Sequence, residues 1–365
     1  MINHSQRIKK ITTQFDRLSI DGFLIGNFYN LLYLLGFAGL AQDEREGWLL
    51  LTRNKGYFFI DGRYQFQWNG GREYSLETVI IQSAVDLLEK LKKIIADEGI
   101  KKLGLEKEDL KLGEYLVFKE KLAGIDLEPL PMVVAQIRQI KDEQEIEAIK
   151  KACEVTDASL DWLRKNIKKG QREKEIAWMI EKWIKEKGMD FSFYPIVAID
   201  ENSTVAHYDT KRDGEKKVLD NCTILVDMGV KVDDYCSDIT RVFFFGKPKN
   251  EQIAIYQKLL QAQKRTIEAI KPTILASQID QSCRSLLEPL AFYPHSTGHG
   301  IGLEVHEFPK ISSQSKTTIE PGMVFTIEPG VYLKDQFGIR IEDTVLVEAD
   351  GAKTLTNFSK EIIVI

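Results

Sequence analysis

A two-domain protein, α/β at its N-terminal end and α+β beyond, is predicted by three features of the sequence. The chain has 365 residues, longer than most single domains. Strand-like and helix-like segments alternate before Pro129, as in a small domain with helices packed on a mixed sheet. After Asp142 the strand patterns instead collect in two blocks separated by helices. A hydrophobic content of 43% with 29% charged residues supplies the core of an ordinary globular protein. The net charge of -5 argues against nucleic acid as a partner, because phosphate binding calls for a basic surface.

The elements follow in order. The opening segment is amphipathic, with Ile8, Ile11, Phe15 and Leu18 at helical spacing, and it lacks an apolar signal core. His4, just ahead of it, is expected to be solvated. "DGFLIG" reads as a strand, and "GWLLLTRNKGYFFID" as a hairpin turning at Asn54–Gly56. "ETVII" is a further strand, followed by the helix "AVDLLEKLKKIIADEG" closed by Gly99, and then by the strand "KKLGLE". These make the first domain, 1–130. The best apolar run, "LLYLLGFAGL", is far shorter than the roughly 20 residues that span a bilayer, so no membrane partner is expected.

Pro129 and Pro131 interrupt regular structure, so 131–141 reads as a linker and 142–365 as the second domain. Asp142 caps a long helix, with Glu145 three residues on in capping-box spacing. "QREKEIAWMIEKWIKEKG" is a second helix, ended by Gly188, and two more lie around 250–269 and 275–288. Strands occupy "FSFYPIVAI", "CTILVDMGV" and "DYCSDITRVFFF", and return after the second pair of helices. Cys153, Cys222, Cys236 and Cys283 are scattered without a CxxC pair, which suits reduced, buried thiols in a cytoplasmic protein.

Chemistry emerges when the strand blocks are read as hairpins. With a turn centred on Val232–Asp233, Asp227 stands opposite Asp238, and opposed side chains share one face with Cβ atoms about 4.5–5.5 Å apart. Centring the C-terminal hairpin on Asp335 places Glu328 opposite Glu342, both among apolar neighbours. Paired carboxylates repel and are costly to bury unless a cation lies between them. Two such hairpins point to one polynuclear metal site.

Five histidines occur in the chain, and three of them, His295, His299 and His306, fall in "HSTGHGIGLEVHEFP". Gly298, Gly300 and Gly302 disfavour a helix there, and neither HExxH nor GxGxxG is matched. An extended glycine-rich segment would instead bring backbone close to the metal while a histidine projects into it. Four carboxylates and one imidazole favour Mn²⁺, with Co²⁺, Fe²⁺ or Zn²⁺ as alternatives. Two such ions about 3.5–4 Å apart can bridge a hydroxide and polarise a carbonyl.

"ILVDMGVKVDDYCSDITR", "STGHGIGLEVHE", "FTIEPGVY" and "GIRIEDT" resemble the motif series of the pita-bread metallopeptidases, closest to the Xaa-Pro branch of prolidase and aminopeptidase P. The resemblance runs from about Gln139 to the end, and the first domain is similar to the creatinase-like N-terminal domain of that branch. It implies a dinuclear exopeptidase that cleaves between an N-terminal residue and proline, with dipeptides or short peptides as substrates and a homodimeric assembly. The metal ligands it implies are Asp227, Asp238, His299, Glu328 and Glu342, with Asp238 and Glu342 bridging the ions. His306 and His207 match two histidines that contact substrate and stabilise the tetrahedral intermediate. His295 matches one near the substrate site, Arg340 an arginine near the metals, and Glu328 the proton shuttle. Two positions depart from the pattern. Asp234 stands where a glycine is common, and "AIDENSTVAHY" lacks the proline usual before His207. A methionine-type aminopeptidase and a non-catalytic pita-bread binding protein are the alternatives.

Overall fold

The computed structural model describes residues 4–68, 70, 75–289 and 293–365. The chain divides into two compact units, Met1–Arg138 and Gln139–Ile365.

The first unit is built on six strands: Gly22–Ile25 (β1), Gly47–Thr52 (β2), Gly56–Asp61 (β3), Leu76–Ile81 (β4), Lys102–Glu106 (β5) and Asp126–Leu130 (β6). Their order is β4-β3-β2-β1-β5-β6, with β2 antiparallel to both neighbours and the outer pairs parallel. The central strands are apolar without alternation because both faces are covered. On one face Leu24, Leu50 and Phe59 meet Leu87, Leu91 and Ile95 of the helix Ala84–Asp97 and Phe118 of Leu112–Lys121. The run "LLYLLGFAGL" supplies the end of another helix, Phe28–Leu35, which Asn27 caps and which packs on β2. His4 is not solvated as expected. Its Nδ1 lies 3.2 Å from the Tyr33 carbonyl, which makes it part of the packing of the first helix, His4–Thr12. Residues Val133–Arg138, within the stretch read as linker, are helical.

The second unit carries Asp190–Phe191 (β7), Ile196–Ile199 (β8), Cys222–Met228 (β9), Val230–Val232 (β10), Tyr235–Cys236 (β11), Ile239–Phe245 (β12), Gly298–Gly300 (β13), Glu307–Ile311 (β14), Val324–Ile327 (β15), Gly330–Leu333 (β16), Phe337–Arg340 (β17), Asp343–Val347 (β18), Ala352–Thr354 (β19) and Ile363–Val364 (β20). Helix Glu143–Asn166 begins in the predicted capping box, with the Asp142 carboxylate accepting from the amides of Gln144 and Glu145. With Glu173–Glu186 it covers β9 and β12 through Leu160, Leu163, Ile176 and Ile180. Helices Asn250–Ala269 and Ala276–Leu287 cover the other strand block through Tyr256, Leu259, Ile267 and Ile279. All four cysteines are free and buried, as the sequence suggested. No described helix is long and apolar enough to cross a membrane.

Candidate metal centre

The two hairpins place four carboxylates. In the C-terminal one, β15 pairs with β18 through Ile327 and Asp343, and β16 with β17 through Gly330 and Arg340. One register runs through both pairs, so Glu328 and Glu342 face each other in the gap between them, as a turn at Asp335 requires. In the first hairpin the register differs from expectation by two residues. Thr240, not Asp238, pairs with Asp227. The cause is the tip, where Asp233 and Asp234 both take positive φ, 48° and 67°, as a two-residue hairpin turn demands. A slip of two preserves the face, and Asp238 still joins Asp227 in the same cavity. The left-handed φ at Asp234 also explains why glycine would suit that position.

His299 enters from β13, between two glycines. A Cβ at Gly298 would come 1.8 Å from the Thr326 carbonyl oxygen, and one at Gly300 2.2 Å from that of Phe308. These glycines serve close approach of the flanking strands.

The cavity, about 700 Å³, is lined by all nine residues singled out above: Asp227, Asp238, His299, Glu328, Glu342, His207, His295, His306 and Arg340. At its floor Asp238, His299 and Glu342 each bring a donor atom within 4.8 Å of the others. Asp227 Oδ1, Asp238 Oδ1 and Glu342 Oε1 are buried with no hydrogen-bond donor, a costly state for an anionic oxygen. The environment reflects that cost. Burial first, and then the neighbouring carboxylates, push Asp238 and Glu342 well above the usual range, while burial pushes Glu328 up to about 7.

His299 completes the pattern. Its Nδ1 lies 3.2 Å from the Gly300 carbonyl, an acceptor only, so Nδ1 carries the proton. Burial holds its pKa below the usual value, and the neutral ring then turns the Nε2 lone pair toward Glu328 Oε1 at 3.4 Å and Asp238 Oδ2 at 3.6 Å. Three acceptor atoms, the Nε2 lone pair and one oxygen each of Glu328 and Asp238, thus converge. A divalent cation resolves that conflict, and a metal-binding histidine commonly donates its other N–H to a backbone carbonyl in this way. The residues present fit a metal.

Two family models match the chain. One, described as "Metallopeptidase family M24", covers residues 147–349, and the other, "Creatinase/Prolidase N-terminal domain", covers 7–140. The chain belongs to metallopeptidase family M24. An Xaa-Pro dipeptidase of Pyrococcus horikoshii is 33% identical over 363 residues, 98% of this chain and 99% of the relative. Among solved structures, an Xaa-Pro dipeptidase from Bacillus anthracis aligns with a TM-score of 0.91 at 31% identity, over 100% of both chains. An X-Pro aminopeptidase from Thermotoga maritima aligns with a TM-score of 0.85 at 32% identity, over 96% of this chain and 100% of that one. The fold is thus that of the Xaa-Pro branch of M24, a creatinase-like domain followed by a pita-bread domain.

Around the M24 centre the remaining groups form the walls. Arg340 donates to Asp227 Oδ2 at 2.6 Å, to Thr240 Oγ1 at 3.0 Å and to Tyr332 Oη at 3.0 Å. Thr240 in turn donates to Glu342 Oε2 at 2.6 Å, so one hydroxyl links both hairpins. His295 Nδ1 donates to the Ser296 carbonyl at 2.8 Å, and burial lowers its pKa to about 4. The neutral Nε2 accepts from Tyr332 Oη at 2.8 Å, so both ring nitrogens are engaged. His306 sits with its ring centroid 4.3 Å from that of His299, its pKa lowered to about 4 by desolvation and then by the facing imidazoles. His207 lies on the exposed rim. Sequence reasoning missed Thr240 and Tyr332. Thr240 was accessible as the residue two beyond Asp238 in "SDITR", had the turn been placed correctly.

Proposed function

We propose that this protein hydrolyses the bond between an N-terminal residue and a following proline, and that Asp227, Asp238, His299, Glu328 and Glu342 hold two divalent metals for that purpose. The observation that carries the reading is the convergence of the His299 Nε2 lone pair on Asp238 and Glu328 in a cavity where Asp227 Oδ1, Asp238 Oδ1 and Glu342 Oε1 lack donors. Such ions supply Lewis-acid polarisation of a peptide carbonyl and acidify water. The chain's own groups do the rest. Glu328, placed between His299 and His295, would take a proton from the attacking water on Oε2, the oxygen not committed to Thr326, and return it to the leaving imide nitrogen as the C–N bond breaks. His306 and His207, both lining the cavity, donate to the negative charge that builds on the carbonyl oxygen. Arg340 fixes the Asp227 carboxylate. Phe193, Ile196, Val305 and Phe308 give an apolar wall for the pyrrolidine ring. Proline lacks an N–H and fixes φ, so it is poorly held by peptidases that bind substrate as a hydrogen-bonded strand.

The same reading takes Mn²⁺ as the native metal, supported by the oxygen-rich donor set. It takes a cytoplasmic setting, supported by four buried free thiols, and a homodimer, as the family resemblance implies. Hydrolysis of Xaa-Pro, Xaa-Pro-Xaa and Met-Ala-type peptides, before and after chelation and with Mn²⁺ or Co²⁺ added back, tests the proposal. Cleavage confined to proline peptides and restored by metal is expected. Cleavage of the methionine peptide alone would favour a methionine-type aminopeptidase, and no cleavage by the metal-loaded protein would favour a binding role.

A further inference from the structure

Lys141 lies in the stretch read as linker, yet its side chain is only 1% exposed. Its Nζ lies 2.7 Å from Oε1 of Glu307, whose side chain is 6% exposed. A buried ion pair is a poor source of stability, since apolar residues of similar volume commonly do as well or better. The pair is better understood from what its two ends hold.

At one end the backbone is pinned. Ile140 bridges to Met323, the Lys141 amide donates to the Gly322 carbonyl at 2.9 Å, and Asp142 begins the capping box of the next helix. At the other end, Glu307 directly follows His306 and pairs with Gly300, where the register between β13 and β14 shifts. Its carboxylate lies against Gly302, so that a Cβ there would come 2.6–2.8 Å from the carboxylate atoms. The loop from Gly300 to Glu307 is thus closed at its neck by a strand pair and braced across it by the Glu307 side chain, and His306 leaves from that neck toward His299.

We propose that Lys141 is a positioning residue for His306. By holding Glu307 from a fixed point, it sets the His306 ring against His299 on the cavity wall, and turnover depends on that placement. The inference rests on the reading of His306 as a group that meets substrate.

The test compares the metal-loaded wild type with Lys141→Met, His306→Ala and the double variant, measuring kcat and KM on an Xaa-Pro dipeptide and bound metal by mass spectrometry. Lys141→Met should lose about tenfold or more in kcat, as expected for a misplaced catalytic group, with metal content unchanged and KM within about twofold. In the His306→Ala background the same change should cost less than about twofold, because the two act through one group. Multiplying effects, an emptied metal site or wild-type kcat in Lys141→Met would overturn the proposal. Wild-type kcat in His306→Ala would instead overturn the reading of His306, and this inference with it. Should Lys141→Met not fold, Lys141→Met with Glu307→Leu removes both buried charges. That protein should fold, keep its metal and show the same loss in kcat, and wild-type turnover there would overturn the proposal equally.

Discussion

Each unit buries carboxylates, and the difference between them separates architecture from chemistry. Glu106 in the first unit accepts from the amides of Gly26 and Asn27 at 2.7 and 2.8 Å, and from Asn30 Nδ2 at 2.6 Å. Both of its oxygens are satisfied by donors that the fold itself supplies. In the second unit Asp227, Asp238 and Glu342 each keep one buried oxygen with no donor at all. The contrast recurs between adjacent residues. Asp343 accepts from Arg241, Thr356, Gln263 and Lys360, and its pKa is lowered by the two cations despite burial. Glu342, one residue earlier, is raised well above the usual range. Burial alone marks neither class. Unmet hydrogen-bonding capacity sets the proposed metal ligands apart.

Substitutions should respect that division. The largest effect is expected from Asp238→Asn, which neutralises a carboxylate at the floor of the cavity. Turnover of an Xaa-Pro dipeptide should fall on the order of a thousandfold or more, with bound metal lost in parallel by mass spectrometry. Retention of both would remove Asp238 from the site. Asp343→Asn should act on folding, because it leaves Arg241 buried beside a neutral group. A loss of about 3 kcal/mol or more is expected in urea unfolding of the metal-free protein, and a loss below ~1 kcal/mol would erase the distinction between neighbours.

The smallest effect concerns pH. Burial raises Glu106 from its ordinary 4.5 to about 6. The folded state therefore holds the proton more tightly than the unfolded one, and stability should rise as pH falls through this window. The gain attributable to Glu106 is at most ~2 kcal/mol between about pH 6 and pH 4.5. Unfolding of the wild type and Glu106→Gln across that range should show this slope only in the wild type. Equal slopes would assign it to other groups.

The sequence made the C-terminal hairpin fully legible, because the polar break around Asp335 coincides with the observed turn and the register follows from it. The first hairpin was misplaced by two residues, since nothing in "VKVDDYC" announces that two aspartates will adopt left-handed φ. The facing residues still shared a side, so the cluster survived the error. The helix start at Asp142 was legible because a capping box is a local signal. What stayed hidden was non-local. The hydroxyl of Thr240 joins two hairpins 100 residues apart in sequence, and the partner of Lys141 lies 166 residues away. The crowding that requires glycine on both sides of His299 was likewise hidden, because the neighbours concerned, Thr326 and Phe308, come from other strands.

If the donor-free carboxylates and the His299 lone pair constitute a metal site, the stripped protein should take up divalent ions. Calorimetric titration of Mn²⁺ into chelator-stripped wild type, with Asp238→Asn alongside, tests it most directly. Wild type should bind two ions saturably with proton release, and the variant should bind at least about a hundredfold more weakly, beyond the effect usual for an outer-shell change. A stripped wild type that binds no divalent ion, or a variant that binds as tightly as the wild type, would contradict it.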